Sequence, residues 1–296
     1  MNDKDILQRF LFENASVRGE IVRLNDVYKT IIHQHDYPSA IRQLLGEALV
    51  AVTLLSATIK FKGRLTVQFR GNAKLKLLLA QCDQALHLRG LVQWIEGIEQ
   101  EDISHAFHKG LLAILMDPEN QAAKRYEGIV AWEGQSLAES IENYFKNSEQ
   151  LATRLWIAVD QSSAVGLLLQ VLPDDNADTH QENWEHLVHL SSTLMPQELL
   201  TWDNQTLLHR LYAEEDIRLF ESQPVTFQCT CSVQRSENAL LLLDREEIER
   251  ELKDKQKIVV TCDFCNKEYH FDRVDIARIF NRGAKEEKPP DPSQWH

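Results

Sequence analysis

The longest apolar run follows Tyr37-Pro38. It reads LLGEALVAVTLLSATI, Leu44 to Ile59, holds a single charge at Glu47, and predicts a buried core helix that runs from Pro38 to about Lys60. The run is shorter than the roughly 18 residues a spanning helix needs. At Gly63 the period changes from helical to two. Leu65, Val67 and Phe69 face one way while Arg64, Thr66, Gln68 and Arg70 face the other, which predicts a half-buried strand. Similar short strands are predicted at Leu75–Gln81, His87–Trp94, Leu111–Met116, Tyr126–Trp132 and Arg154–Val159, followed by the apolar stretch Val165–Leu172. Ser136 with Glu139 reads as a capping box that opens a helix reaching Asn147. These elements make residues 1–173 an α+β domain of antiparallel sheet with packed helices.

After Leu172 the chain turns polar and acidic, in PDDNADTHQENWEH, and then carries only short helical patterns at Trp184–Leu194, Gln197–Leu200 and Leu207–Leu211. Residues 174–225 therefore read as a helical linker without a core of its own, dependent on tertiary contacts for its order. Residues 226–283 form a third, small module. In it Ala239–Leu243 starts a helix, Asp244 caps another at Glu246–Lys253, strand-like segments Lys257–Thr261 and Lys267–Asp272 flank a turn, and Val274–Phe280 makes a last helix. Its expected core is Leu241, Ile248, Leu252, Val259, Tyr269, Phe271 and Ile276. The polar segment 284–296 reads as a disordered tail.

Charge and composition narrow the function. Lys plus Arg number 32 against 45 Asp plus Glu, for a formal charge of −13, so the surface lacks the basic excess a general nucleic-acid binder requires. The N-terminus MNDKDILQRFLF has early acidic residues and no long apolar stretch, which points to no secretory signal and to a cytoplasmic protein with no membrane partner. No nucleophile elbow surrounds Ser162-Ser163 or Ser191-Ser192, and Gly71, Gly90 and Gly110 read as isolated turn glycines.

Four of the five cysteines fall in two tight pairs, Cys229-x-Cys231 and Cys262-x-x-Cys265, the second in the turn of a hairpin. In a reducing compartment such pairs indicate metal or redox chemistry, and four thiolates suit one tetrahedral Zn²⁺ per chain. His270 reads as a hairpin surface residue, and Cys82 as a small structural one. A module of this size has little apolar area to bury, and zinc contributes about 10 kcal/mol to comparable folds. The same thiolates react with peroxide. Oxidised Cys262 has Cys265 close by in sequence to resolve it, Cys229 and Cys231 can do likewise, and each such bond removes two ligands from the metal.

The segments YPSAIRQLLGEALVAVTLLSATIKFKGRLTVQFRG, YEGIV, YFKNSEQLATRLWIA, GLLLQVLP, FQCTCSVQR and CDFCNKEYHFD together resemble the thirty-three-kilodalton heat-shock protein family over nearly the full length. GNAK at Gly71–Lys74 departs from that family's glycine- and proline-rich turn. The resemblance implies a redox-regulated, ATP-independent holdase and not an enzyme. The reduced, zinc-bound form is inactive. Oxidation joins Cys229 to Cys231 and Cys262 to Cys265, releases zinc, unfolds the switch module and linker, and exposes a surface for unfolding client proteins. The active species is a homodimer built on the N-terminal domain, and clients pass to ATP-dependent chaperones. Two other readings compete. One is a thiol-disulfide oxidoreductase using CDFC, disfavoured because such a site opens a helix; the other is a nucleic-acid-binding zinc ribbon, disfavoured by the acidic DREEIERELKDK.

Overall fold

A computed structural model of the chain describes residues 4–59, 62–71, 74–107, 110–120, 124–132, 136–173 and 177–286. The chain divides into two compact units, Met1–Gln228 and Cys229–His296.

The first unit opens with a hairpin, β1 (Ile6–Phe12) and β2 (Val17–Leu24), then two helices, α1 (Asp26–Ile32) and α2 (Ser39–Thr58). Strands β3 (Gly63–Arg70), β4 (Leu75–Asp83) and β5 (His87–Trp94) follow as a meander, then α3 (Gln100–Phe107), β6 (Leu111–Pro118) and β7 (Tyr126–Val130). Helix α4 (Leu137–Tyr144) ends in a π-helical turn at Phe145–Glu149, ahead of β8 (Thr153–Val159) and β9 (Ala164–Val171). Three helices come next, α5 (Ala177–Ser191), α6 (Pro196–Thr201) and α7 (Asn204–Leu211), and three very short strands, β10 (Ile217–Leu219), β11 (Gln223–Pro224) and β12 (Thr226–Phe227).

These strands make two sheets. The first runs β10-β1-β2-β9-β8 with β11 also on β1; the second runs β12-β5-β4-β3-β6-β7. All pairings in both are antiparallel except β12 with β5. Helix α2 packs against strands of both sheets, and Leu45, Leu49, Val52 and Leu55 on it are wholly buried. By length and composition α2 could cross a bilayer, but most of it lies inside the protein. Its apolar character reflects contact on every side.

The linker helices occupy the other face of the first sheet. Leu187, Leu199, Leu207, Leu208 and Tyr212 pack on Phe10, Phe12, Ile21, Leu167 and Leu169. Strand β9 is covered on both faces, with Leu168 turned to the α2 core and Leu167 and Leu169 to the linker helices. That is why its sequence reads as a continuous apolar run and not as an alternation.

The hairpin β1–β2 and the helices α1 and α3 are elements the apolar pattern did not reveal. In β2, VRGEIVRL, charges fall among the apolar residues, yet Glu20 and Arg23 are buried. Arg9 Nη2 donates to the Ala57 carbonyl at 2.9 Å and Arg18 Nη2 to the Thr58 carbonyl at 2.9 Å, so both guanidiniums cap the C-terminus of α2, where carbonyls lack helical partners. Glu20 lies beside them, with Arg9 Nε 3.4 Å from Oε1, and its other oxygen accepts no hydrogen bond among the described residues. Gly90 is not a turn residue. It sits inside β5, where a Cβ would come within 3.0 Å of Leu45 Cδ1 and Leu49 Cδ2, so its lack of a side chain lets α2 approach the sheet.

The second unit contains α8 (Val233–Leu240), α9 (Arg245–Lys255), the hairpin β13 (Lys257–Thr261) and β14 (Glu268–Asp272), and α10 (Arg273–Glu286). Helix α8 starts earlier than Ala239, because Ser232 caps it by accepting from Arg235 N at 3.2 Å. Helix α10 extends past Phe280 to Glu286, into the stretch expected to be disordered; the rest of the tail, like Asn72 and Ala73 of the GNAK turn, lies outside the described residues. The core comprises Leu240, Ile248, Leu252, Ile258, Tyr269, Phe271, Ile276 and Ile279. Val259, expected there, is exposed and pairs with His270, while its neighbour Ile258 pairs with Phe271 on the buried face. A shift of one residue in a strand exchanges the two faces.

Burial pushes the Glu20 carboxyl up to about 7, against the opposing charges of Arg9 and Arg18. The folded state then binds a proton more tightly than the unfolded chain, so stability falls as pH rises from the usual carboxylate range to about 7 and is flat above it. Glu20→Gln is expected to flatten this slope and to raise stability at pH 8 by about 1–3 kcal/mol relative to the parent, measured by urea unfolding at pH 5 and pH 8.

Candidate metal centre

Two local structures present the four thiols. Cys229 and Cys231 lie in irregular chain between β12 and α8, and Ser232, in extended conformation, caps α8 immediately afterwards. Cys262 and Cys265 lie in the turn joining β13 to β14. There Cys262 N donates to the Lys267 carbonyl at 3.0 Å, Asn266 N donates to the Cys262 carbonyl at 2.8 Å, and Asn266 takes the left-handed conformation at φ 52°. Asparagine tolerates that conformation better than most residues, so the sequence CDFCN closes the turn without a glycine.

All four Sγ atoms lie within 4.8 Å of one another. The shortest approaches cross between the pairs, Cys229 to Cys262 at 3.6 Å and Cys231 to Cys265 at 3.5 Å. Sulfurs about 2.3 Å from a common tetrahedral ion stand roughly 3.8 Å apart, so the four residues fit such an ion with shifts of at most about 1 Å. Tyr269 on β14 adds a hydroxyl that donates to Cys231 Sγ at 3.1 Å. Alternation along β14 marks Tyr269 as a core residue and gives no hint of its contact with sulfur.

The electrostatics favour a cation among the thiols. For Cys231 burial raises the thiol, but the hydrogen bonds from Tyr269 and the neighbouring sulfurs outweigh it and bring the group down to about 7. Cys265 goes the other way, pushed up to about 12 by burial and then by the other three cysteines, and Cys262 is also raised, by burial first. Charge gathered on Cys231 is thus disfavoured on Cys265, and a positive ion among the sulfurs would favour the thiolate forms together.

A second tie joins the halves of this unit. Glu237 on α8 is buried; its Oε2 accepts from Arg282 Nη1 at 2.8 Å and its Oε1 from Arg278 Nη2 at 3.2 Å, both arginines on α10. The remaining candidates lie elsewhere. Cys82 is fully buried in β4, with Ser56 Oγ 3.3 Å from its sulfur, and burial pushes it up to about 12. His270 is exposed, with Nε2 3.4 Å from Glu268. The CDFC turn lies between two strands and opens no helix.

The family model described as Hsp33 protein matches residues 5–272. The chain belongs to the Hsp33 protein family. It is 45% identical over 285 residues to a 33 kDa chaperonin of Nitrosococcus oceani, covering 96% of this chain and 97% of that one. A 33 kDa chaperonin of Pseudomonas paraeruginosa is 43% identical over 295 residues, covering 98% of each chain. Among solved structures, the crystal structure of the 33 kDa chaperonin of Thermotoga maritima superimposes with a TM-score of 0.80 at 22% identity, covering 95% of this chain and 99% of that one, and so shares the fold. Membership of the Hsp33 family makes the chain a chaperone-family protein with a four-cysteine cluster that can hold a metal ion.

Cobalt(II) titrated into the reduced chain is expected to give the visible absorption of a tetrahedral thiolate site, saturating at a single equivalent. Cys231→Ser or Cys265→Ser should weaken it at least a hundredfold, read by competition with a chelator. Saturation at the same affinity in both variants would remove these residues from the ligand set.

Proposed function

We propose that this chain is a redox-regulated, ATP-independent holdase of the cytoplasm. In the reduced, inactive form Cys229, Cys231, Cys262 and Cys265 hold one Zn²⁺. The observation that carries this reading is the convergence of four thiols within 4.8 Å in a unit whose apolar core, among the described residues, is eight buried side chains. A core that small does not outweigh the chain entropy of its own unit, and the metal supplies the difference.

Peroxide oxidises one thiolate to a sulfenic acid. The neighbouring thiolate attacks it, water leaves, and a disulfide forms, so two peroxides and four protons from solvent turn four zinc-bound thiolates into two disulfides, Zn²⁺ and four waters. The pairing proposed is Cys229 with Cys231 and Cys262 with Cys265. It rests on the family resemblance and on proximity in sequence, since nothing but the ion and the folded unit brings the nearer pairs Cys229–Cys262 and Cys231–Cys265 together. With the metal gone the unit unfolds and the linker helices lose their order. Sheet residues such as Phe10, Phe12, Leu167 and Leu169, now covered by those helices, then become available to unfolding client proteins. The active form is a homodimer that passes clients to ATP-dependent chaperones. No turnover is involved, and an oxidoreductase role is not favoured because the CDFC thiols lack a helix N-terminus to lower their pKa.

Peroxide-treated protein is expected to suppress aggregation of a heated client at about stoichiometric ratio, while the reduced, metal-loaded protein does not. Free-thiol and zinc assays on the same samples should show four thiols lost as the ion is released. Retention of the metal with all four thiols oxidised, or catalytic disulfide reduction at low protein ratios, would refute the proposal.

A further inference from the structure

A cleft of about 270 Å³ lies along the outer edge of β8, walled by the start of α4, by α2 and by the start of α6. Its apolar lining includes Trp156, Leu194, Pro196 and Leu199, with Met195 exposed at the rim. Among the described residues that line it, Glu47 is the only ionisable side chain. Glu47 Oε1 accepts a hydrogen bond from Gln43 Nε2 at 3.2 Å. Burial raises its carboxyl, and no cation offsets that.

The floor of the cleft is a sheet edge. Asp160 N donates to the Ser163 carbonyl and Val171 N to the Ala152 carbonyl, so the even-numbered residues of β8 turn their peptide groups toward β9. The odd-numbered ones turn outward, as Leu155 confirms by donating its N–H to Glu142 Oε1 at 2.7 Å. Ile157, which lines the cleft, therefore presents a peptide donor and acceptor to it. A carboxylate lacking a cation, a peptide edge and an apolar wall stand within one small volume.

We propose that this cleft binds a small peptide-like amine, its ammonium on Glu47, its amide on the Ile157 edge and its apolar side chain against α6. At about 30 Å³ per water-sized group, the volume suits roughly nine non-hydrogen atoms, the size of one amino-acid amide. Since α6 forms one wall, the ligand binds only while that helix is docked and so opposes its release. That consequence rests on the holdase reading; the binding itself does not.

The test uses the full-length reduced, metal-loaded chain and L-leucinamide, with 4-methylpentanamide as the isostere lacking the amine. Leucinamide is expected to bind saturably in the millimolar range, with amide NMR shifts centred on Glu47, Ile157 and α6, and the neutral amide at least tenfold more weakly. Glu47→Gln should abolish the preference between the two, and the comparison on the parent chain decides the matter even if that variant folds poorly. Equal affinity for both amides, no saturable binding, or shifts away from the cleft would overturn the proposal. In a second arm, leucinamide should slow proteolysis within residues 177–211 after peroxide treatment. Intact binding with no oxidation-induced cleavage at all would leave the cleft standing and count against the holdase reading instead.

Discussion

Four thiolates held within reach of one another are a repulsive arrangement unless a cation stands among them. In this chain the repulsion is placed where little else can resist it. The second unit has a thin apolar core, one hairpin and three helices, and its C-x-C and C-x-x-C halves are joined by the thiol cluster and by the Glu237 contacts with Arg278 and Arg282. Chemistry at sulfur is therefore chemistry on the fold itself. The core itself supplies few contacts beyond these.

The first unit is built on the opposite plan. Helix α2 is enclosed between two sheets, and the guanidiniums of Arg9 and Arg18 close its C-terminal end by bonding its last carbonyls. Its stability is distributed over many buried side chains and does not hinge on one group. The linker helices share only part of that security. They contribute leucines and Tyr212 to the outer face of the first sheet, but α6 and α7 are short and take their order from that face.

Much of this was legible in the residues. The alternation in β3 and the long apolar run of α2 follow directly from burial on one side and on all sides, and two pairs of thiols among so few cysteines declare a centre before any coordinates exist. What stayed hidden has physical causes. Strands β1 and β2 carry the arginines that cap a helix remote in sequence, and Glu20 and Arg23 are buried, so their pattern obeys no simple period. Phase in β13 depends on its pairing with β14, which placed Ile258 and not Val259 inside. Tyr269 reads as core and is core, yet its hydroxyl meets sulfur. Glu47 looks like a lone charge on a helix, and only the meeting of α2, β8 and α6 gives it a cleft.

The short strands at residues 217–227 bear on how the protein comes off the ribosome. β10 and β11 complete the sheet begun by the first strand of the chain, and β12 lies alongside β5. Both sheets thus wait for about the last twentieth of their unit to be translated. Until then the β1 and β5 edges of a nascent chain stay unpaired, and they are covered just ahead of Cys229.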